Sequence, residues 1–340
     1  MNRRVITLLV ALAPVIAFGV LLGLVTVPYV SLGPGPTFNT LGKVEDKEVV
    51  DIEGTQVHPA SGHLNMTTVA QRDNLTLGEA VALWMSAREQ LVPRDLVYPP
   101  DKSRDEVDKS NNADFVLSEA NAQYAALGYL KYAPALTVEV VNKDGPSDGR
   151  LLAGDAIDKV DGTKITSVDQ FQFLLKQTKP GQSILVEYRR KNGPPGTKKI
   201  TLGQNKDRSN GFLGVSVREA PWAPFQITFN LANVGGPSAG LMFALAVIDK
   251  LTTGDLADSK FVAGTGTIDP DGKVGAIGGI THKMVAAHEA GATVFLVPAD
   301  NCAEARGGNE VGLELVKVDT VGQAVDALHA VSAGGEPPRC

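Results

Sequence analysis

Ser238 occupies a position at which a serine hydroxyl can become a nucleophile. It lies in the stretch Gly-Gly-Pro-Ser-Ala-Gly (235–240), directly before a long apolar run at 241–251. A proline favours a helix start, and a helix N-terminus presents free N–H groups and the positive end of its dipole. These groups suit the oxyanion of acyl transfer. A serine here is also an ordinary helix N-cap, so the stretch alone leaves both interpretations open.

Lys283 is the candidate base. The segment 265–298 predicts a strand, a turn, a second strand, a Gly-Gly turn, a helix and a strand, with Gly291 ending the helix. A lysine near a helix start meets the positive end of the dipole, and burial lowers its pKa further. A neutral lysine accepts the proton of a serine. A solvated surface lysine is the ordinary alternative.

The two segments together resemble the proteolytic domain of Lon proteases, over residues 210–333. The motif Gly-Pro-Ser-Ala-Gly (236–240) is followed by Thr-Gly (265–266) and by Gly-Gly-Ile-Thr-His-Lys (278–283), in the order that the family shows. Gly235 departs from the family, which often has an acidic residue there. The resemblance implies Ser238 as nucleophile, Lys283 as general base, Thr265 as the hydroxyl that orients the lysine, and Gly236, Pro237 and Ala239 around the substrate and the oxyanion.

The ATPase part of Lon has no counterpart in this sequence. No Gly-x-x-x-x-Gly-Lys-Ser/Thr motif occurs in it. We therefore expect an ATP-independent serine endopeptidase with a Ser-Lys dyad that cuts unfolded or extended segments. Neither a cofactor nor a metal is expected.

Other functions remain open on the sequence alone. Gly236-x-Ser238-x-Gly240 also fits the nucleophile elbow of α/β-hydrolases, with His329 as a partner. A Ser-His site with His282 is a further alternative, whereas a zinc pair of His282 and His288 is disfavoured because six residues separate them. The main non-enzymatic alternative is a membrane-anchored peptide-binding scaffold on a protease-like fold.

A second resemblance lies in residues 123–205. Leu-Leu-Ala-Gly-Asp (151–155) and the turn Asp161-Gly162 follow the order of a bacterial PDZ domain. Such a domain receives a peptide carboxylate in a backbone loop while the peptide adds as a strand. By position, we expect that loop at Leu127, Gly128, Tyr129 and Leu130.

The N-terminus predicts a membrane anchor. Residues 5–30 carry no charge, and about 20 apolar residues cross a bilayer. The run is longer than the apolar part of a cleaved signal peptide, the alternative interpretation. Arg3 and Arg4 favour a cytoplasmic N-terminus, so we expect a single-pass protein of the cytoplasmic membrane with its bulk outside the cytoplasm. There Cys302 and Cys340 have the chance to pair, which the spacing leaves open.

Composition limits the remaining possibilities. The net charge of −6 and an aromatic content of 6% disfavour nucleic acid as a partner. We expect protein or peptide substrates, the membrane and, as an open possibility, a homo-oligomer. The expected fold is mixed α+β: an N-terminal transmembrane helix, a β-rich PDZ-like domain and a Lon-type α/β proteolytic domain. The predicted division is an anchor (1–31), an extracytoplasmic region (32–122), a PDZ-like domain (123–205), a proteolytic domain (206–333) and a flexible tail (334–340).

Overall fold

The computed structural model describes residues 3–86, 88–205, 208–232, 234–308 and 312–340. Met1 and Asn2 of the predicted anchor lie outside them. The helices are α1 (Arg3–Leu24), α2 (Leu77–Met85), α3 (Arg94–Val97), α4 (Arg104–Tyr129), α5 (Val168–Lys176), α6 (Gly240–Leu251), α7 (Ile280–Glu289), α8 (Cys302–Gly307) and α9 (Val321–Ser332).

The strands include several short ones that pair locally. They are β1 (Tyr29–Asn39), β2 (Lys43–Val44), β3 (Lys47–Glu48), β4 (Val50–Glu53), β5 (His63–Arg72), β6 (Gln90–Pro93), β7 (Pro134–Val141), β8 (Ala156–Val160), β9 (Thr163–Lys164), β10 (Ser183–Arg189), β11 (Gly196–Thr201), β12 (Gly203–Asn205), β13 (Arg208–Phe212), β14 (Val215–Pro221), β15 (Gln226–Phe229), β16 (Phe261–Gly264), β17 (Thr267–Ile268), β18 (Val274–Gly275), β19 (Val294–Pro298) and β20 (Glu314–Val318).

Helix α1 is long and apolar enough to cross a membrane. Its segment Ile6–Leu24 has 19 residues and a mean hydropathy of 2.5, and none of it is buried inside the protein. A signal sequence has the same features. The helix therefore fits either a membrane anchor or a signal sequence.

One six-stranded sheet carries the candidate catalytic segments, in the order β20-β19-β16-β5-β1-β6. Strands β16, β19 and β20 are parallel to one another and to β5, whereas β1 runs antiparallel to β5 and β6. Helix α6 packs beside this sheet and is buried along almost its whole length. An all-round apolar helix is typical of a core position, which explains the uninterrupted apolar run after Ser238.

A second sheet has its own core. Its order is β11-β10-β8-β7-β14, with β9 paired to β8. Leu136, Ile157, Phe171, Ile184 and Ile200 pack together between this sheet and α5. This antiparallel sheet with one covering helix is the PDZ-like unit. The predicted mixed fold is confirmed.

Two boundaries of the predicted division differ from the structure. Residues 32–122 are not a separate region, because β1, β5 and β6 complete the sheet that carries the catalytic segments. The PDZ-like sheet does not end at residue 205, because β14 pairs with β7 from Val215 to Pro221. Pattern reading missed both points because strands far apart in sequence pair with each other.

The predicted flexible tail is held in place. Cys340 forms a disulfide with Cys302, and the Cys340 N–H donates to the carbonyl oxygen of Leu315 over 3.2 Å. Arg339 pairs with Glu314 at 3.1 Å. A Gly- and Pro-rich composition predicts mobility, but the covalent link and these contacts override it.

Candidate active site

The turn that carries Ser238 depends on two glycines, Gly236 and Gly240. Gly236 has a φ of +83°, a conformation that favours glycine. Ala239 caps α6, and Gly240 begins it. A Cβ on Gly240 would lie 2.7 Å from the Ile268 side chain, so any larger residue would push the turn away from β17. Ser238 thus stands two residues before α6, as the sequence predicts.

Lys283 reaches Ser238 directly. Its Nζ donates a hydrogen bond to Ser238 Oγ over 2.7 Å and a second to Thr265 Oγ1 over 3.0 Å. Thr265 Oγ1 in turn donates to the carbonyl oxygen of Ser238 over 3.1 Å. The three residues, from the position just after β16, from α7 and from the turn before α6, therefore form one connected network. Thr265 holds the lysine from one side while the serine lies on the other.

Burial sets the chemistry of the lysine. Lys283 is only 3% exposed, and desolvation lowers its pKa from the ordinary 10.5 to about 8. Within the part of the chain that the structure describes, no carboxylate pairs with it. A buried, unpaired ammonium is costly, so about one lysine in ten is the neutral, proton-accepting amine at pH 7, and this fraction rises with pH.

Helix α7 positions Lys283 from a glycine turn. Gly279 has a φ of +68° and stands at the N-cap, which explains the second glycine of the Gly-Gly motif. The Lys283 N–H donates to the Gly279 carbonyl oxygen over 3.2 Å. The lysine therefore sits one turn into the helix, on the face that is buried against β5 and β1.

A cavity of about 690 Å³ opens onto the dyad. Such a volume falls in the range of ligand sites in proteins. Its walls come from three parts of the chain: the strands β1 and β5, the serine turn, and the loop before α7. The lining includes Pro36, Phe38, Met66, Thr68, Val69, Ala70, Gln71, Val234, Gly235, Gly236, Pro237, Ser238, Ala239, Thr267, Ala276, Ile277, Gly278 and Lys283.

The residues predicted around the oxyanion differ in whether they offer it a backbone N–H. Gly236, Pro237 and Ala239 all line the cavity. The Gly236 N–H is already donated to the Asn111 carbonyl oxygen at 2.8 Å, and proline has no N–H. No acceptor among the described residues takes the N–H of Ser238 or Ala239. These two groups are the available donors, and Gly236 and Pro237 shape the turn.

Two residues of α4 support this turn. Besides the Asn111 carbonyl, Ser118 Oγ donates to the Pro237 carbonyl oxygen over 3.0 Å. Ser118 is 2% exposed. No sequence pattern indicates their role, since 119 residues separate Ser118 from Pro237 and the stretch before Asn111 has the charge of a solvated segment.

The histidine alternatives find no support in the geometry. No hydrogen bond joins His282 to Ser238 within the described ranges, and burial lowers the pKa of His282. His329 lies on α9, near Gly254. Neither histidine is placed to accept the proton of Ser238.

The predicted carboxylate loop is helical instead. Leu127, Gly128 and Tyr129 form the last turn of α4, and Leu130 caps it. Leu127 is fully buried in the core around α6. The apolar spacing that it shares with the alanines of α4 favours a helix packed on that core, so the loop prediction is wrong.

A groove of the expected kind lies elsewhere on the PDZ-like sheet. A cavity of about 350 Å³ lies between α5 and the start of β14 and is lined by Leu175 and by residues 210–215. The segment Gly-Phe-Leu-Gly (211–214) contains the same Leu-Gly-apolar signal, and β14 is an edge strand with a partner, β7, on one side. At its far end, the Val168 N–H donates to Glu219 Oε1 over 2.7 Å. The sequence signal was present twice, and only the fold distinguishes the two copies.

Comparison with known protein families identifies a proteolytic domain and a PDZ domain in this chain. Residues 232–330 match the Lon protease (S16) C-terminal proteolytic domain, and residues 110–199 match the PDZ domain. The chain contains a Lon-type proteolytic domain and a PDZ domain. The match to the Lon family covers the turn of Ser238, Thr265 and Lys283.

Relatives of the Lon-type domain are much longer than this chain. Lon protease 1 of Herpetosiphon aurantiacus is 35% identical over 108 residues, which is 30% of this chain and 13% of that protein. The Lon protease of Azospirillum brasilense is 37% identical over 105 residues, 30% of this chain and 12% of that protein. The Lon protease of Clostridioides difficile is 46% identical over 65 residues, covering 19% and 8%. The chain thus spans about a tenth of the length of the curated relatives it matches.

Similar solved structures correspond to the PDZ domain. The PDZ domain of the SdrC-like protein from Listeria monocytogenes is 25% identical and covers 24% of this chain and 86% of its own, with a TM-score of 0.23. That from Listeria innocua is 26% identical and covers 24% and 92%, with a TM-score of 0.23.

Proposed function

We propose that this chain is a serine endopeptidase whose catalytic dyad is Ser238 and Lys283. The observation that supports it most is the desolvated amine of Lys283, 2.7 Å from Ser238 Oγ, without an acidic partner among the described residues. The match to the Lon proteolytic domain gives the coarser function, a serine peptidase.

In the proposed mechanism, neutral Lys283 takes the proton of Ser238 as Oγ attacks a peptide carbonyl carbon. The N–H groups of Ser238 and Ala239 receive the oxyanion. The lysine then passes the proton to the leaving amine, which breaks the C–N bond and leaves an acyl-serine. Water attacks the ester, with Lys283 as base, and Ser238 is regenerated. Thr265 keeps the amine directed at the serine throughout.

We infer that the substrates are extended segments and that ATP is not required. The cavity beside Ser238 is lined by residues of β1 and β5, which supports binding of an extended segment. No Walker A motif occurs in the sequence, so this chain carries no ATP-driven unfolding of its own.

The proposed location is the outer side of a cytoplasmic membrane, with α1 spanning it. Arg3 and Arg4 precede the apolar stretch, which favours a cytoplasmic N-terminus. The Cys302–Cys340 disulfide supports the same orientation, because disulfides persist in oxidising compartments.

The PDZ domain is proposed to hold a peptide C-terminus between α5 and β14. The backbone N–H groups of Leu213 and Gly214 would take the carboxylate, and Leu175 would contact the last side chain. Replacing Leu175 with Gln should weaken binding of C-terminal peptides, whereas replacing the exposed Leu185 on β10 with Gln should not.

Hydrolysis of an unfolded casein-type substrate by the full chain in nanodiscs, without ATP, tests the dyad. We expect Ser238→Ala and Lys283→Ala each to lose activity by about 10³-fold or more. Lys273→Ala, at an exposed lysine outside the cavity lining, is the matched control and should keep activity.

Two outcomes would decide against the dyad. Activity retained in Lys283→Ala would eliminate it. A parent protein that binds peptides but cleaves none, even with a PDZ ligand added, would favour the non-catalytic scaffold instead.

A further inference from the structure

A cluster of exposed apolar side chains surrounds the point where α1 enters the body of the protein. Outside α1, the most exposed large apolar side chains of the described residues are Leu96 (75%), Met85 (73%) and Trp84 (72%). Val81 and Tyr29 are 42% exposed each. We call these five residues the juxtamembrane patch. Soluble surfaces seldom gather such residues in one place.

The backbone fixes this patch at the end of α1. The Val27 N–H donates to the Leu75 carbonyl oxygen over 2.9 Å, and the Leu77 N–H donates to the Val25 carbonyl oxygen over 2.7 Å. The start of α2 is thereby paired to the chain just after the apolar stretch of α1. The position of α2 relative to α1 is therefore set by hydrogen bonds rather than by a free linker.

Helix α3 is fixed at the same place. The Arg94 N–H donates to the Pro28 carbonyl oxygen over 3.0 Å. Leu96 follows two residues later, and Tyr29 begins β1. The patch thus comes from three elements that meet at one junction.

Helix α2 runs from this junction across the protein surface. At its start, Gly78 packs against the Leu22 carbonyl of α1. Beyond its end, Arg88 forms a paired contact with Glu289 at the end of α7, at 2.6 and 2.9 Å. Val81, Trp84 and Met85 have the i, i+3, i+4 spacing of one helix face, and none of the described residues covers that face.

We propose that α2 and Leu96 lie in the headgroup region of the bilayer, with the juxtamembrane patch inserted into it. This rests on the proposed function, in which α1 spans the membrane. The occupant is a lipid surface because the patch is continuous with the exposed apolar side of α1. Trp and Tyr are the side chains that favour the membrane interface.

The free energy of inserting the patch into lipid suits a role in orienting the body of the protein on the membrane. Burying one large apolar side chain contributes far less free energy than inserting a spanning helix does. The patch therefore does not tether the protein, but it fixes how the body lies on the membrane. Because β5 ends at Arg72, the Val69 wall of the cavity is only eight residues from Leu77, a span of at most about 29 Å. The substrate class that follows is extended segments close to the membrane surface.

Quenching of Trp84 fluorescence in vesicles of phosphatidylcholine with brominated lipids tests the proposal. The full chain is compared with Trp84→Phe, since the second tryptophan, Trp222, is buried. We expect the emission lost in Trp84→Phe to be quenched more by lipids brominated near the headgroup than by lipids brominated at the chain end. The matched control is Trp84→Phe with Phe173→Trp, an exposed site on α5, where no quenching is expected.

A tryptophan placed on α1 tests the proposed membrane tether, helix α1, separately from the patch. Trp84→Phe with Phe18→Trp reports on α1 itself. Quenching at residue 18 but not at Trp84 would overturn the patch proposal and leave the tether intact. A blue-shifted Trp84 that lipid does not quench would assign the patch to a second copy of the chain. Absence of quenching at both positions would overturn the tether and the patch together.

Discussion

The two sheets of this protein are assembled in opposite ways. The PDZ sheet is built from one continuous stretch, from β7 to β14, and has a core of its own. The Lon-type sheet takes β1, β5 and β6 from before the PDZ domain and β16, β19 and β20 from after it. In this sheet order the PDZ unit is inserted between two parts of the Lon-type sheet, the first of which follows helix α1.

The insertion leaves and returns at one place. Pro134 pairs with Pro221 across β7 and β14, and the Trp222 N–H donates to the Ala133 carbonyl oxygen over 3.2 Å. A stretch whose ends are adjacent can be removed without stretching its host. The comparison therefore predicts that each sheet responds to change on its own.

Deletion should have the largest effect. Replacing residues 134–221 with a short Gly-Ser linker should leave a folded protein that still cleaves unstructured peptides. Removing 63–93 should abolish folding, because the parallel pairing of β16 loses its partner β5. Circular dichroism and peptide hydrolysis check both, and an unfolded product of the first deletion would contradict the insertion.

Single core substitutions test whether the two sheets unfold independently of each other. Leu64 in β5 and Ile184 in β10 are both buried, so truncation to Ala should cost about 2–5 kcal/mol in each case. Leu64→Ala should lower the stability of the proteolytic unit and its activity at 37 °C. Ile184→Ala should lower the melting temperature of the PDZ unit while peptide hydrolysis persists. Equal loss of activity in both would show that the two sheets unfold together.

The proposed base, Lys283, should give the proteolytic unit a pH dependence that the PDZ core lacks. Only neutral Lys283 acts as base, so kcat/KM should rise with pH and level off above the pKa of about 8. Well below that pH the slope should be about tenfold per pH unit. A profile that falls with rising pH would contradict this assignment.

The same pKa has a consequence for stability. A lysine whose folded pKa lies below its unfolded value of 10.5 destabilises the fold most below pH 8, and this penalty disappears above 10.5. The free energy of unfolding should therefore rise with pH across that window by up to about 3 kcal/mol. Lys283→Met should remove this rise and gain stability at neutral pH, which chemical denaturation measures.

Helix α4 is where the two units meet, and the smallest effect is expected there. Ser118→Ala removes the donor to the Pro237 carbonyl and loosens the turn of Ser238. A small misplacement of reacting groups is costly, so kcat should fall about tenfold with KM unchanged. Ser110→Ala, exposed on the same helix, is the control. A change in melting temperature alone, with kcat intact, would limit Ser118 to a structural role.

The predictable part of the fold was the local part. The apolar run of α6, the Gly-Gly turn before α7 and the turns of the PDZ domain are encoded by neighbouring residues. The meeting of Ser238 with Lys283 followed from the family resemblance and was found at hydrogen-bond distance.

The remainder depends on contacts between distant residues. Nothing near Leu64 indicates that its strand pairs with β16, and nothing near Ser118 indicates its bond to Pro237. The carboxylate loop was misplaced because the Leu-Gly-apolar signal occurs both at Leu127 and at Leu213, and only packing decides which copy lies in a helix.

The disulfide also bears on self-digestion. If the chain is the proposed membrane-anchored peptidase, the loose segments nearest to its active site belong to neighbouring copies of itself. Cys302 fixes residues 334–340 against β20, so this Gly- and Pro-rich stretch is not offered as a substrate. Reduction of the Cys302–Cys340 bond should then shorten the lifetime of the protein while leaving its catalytic rate unchanged.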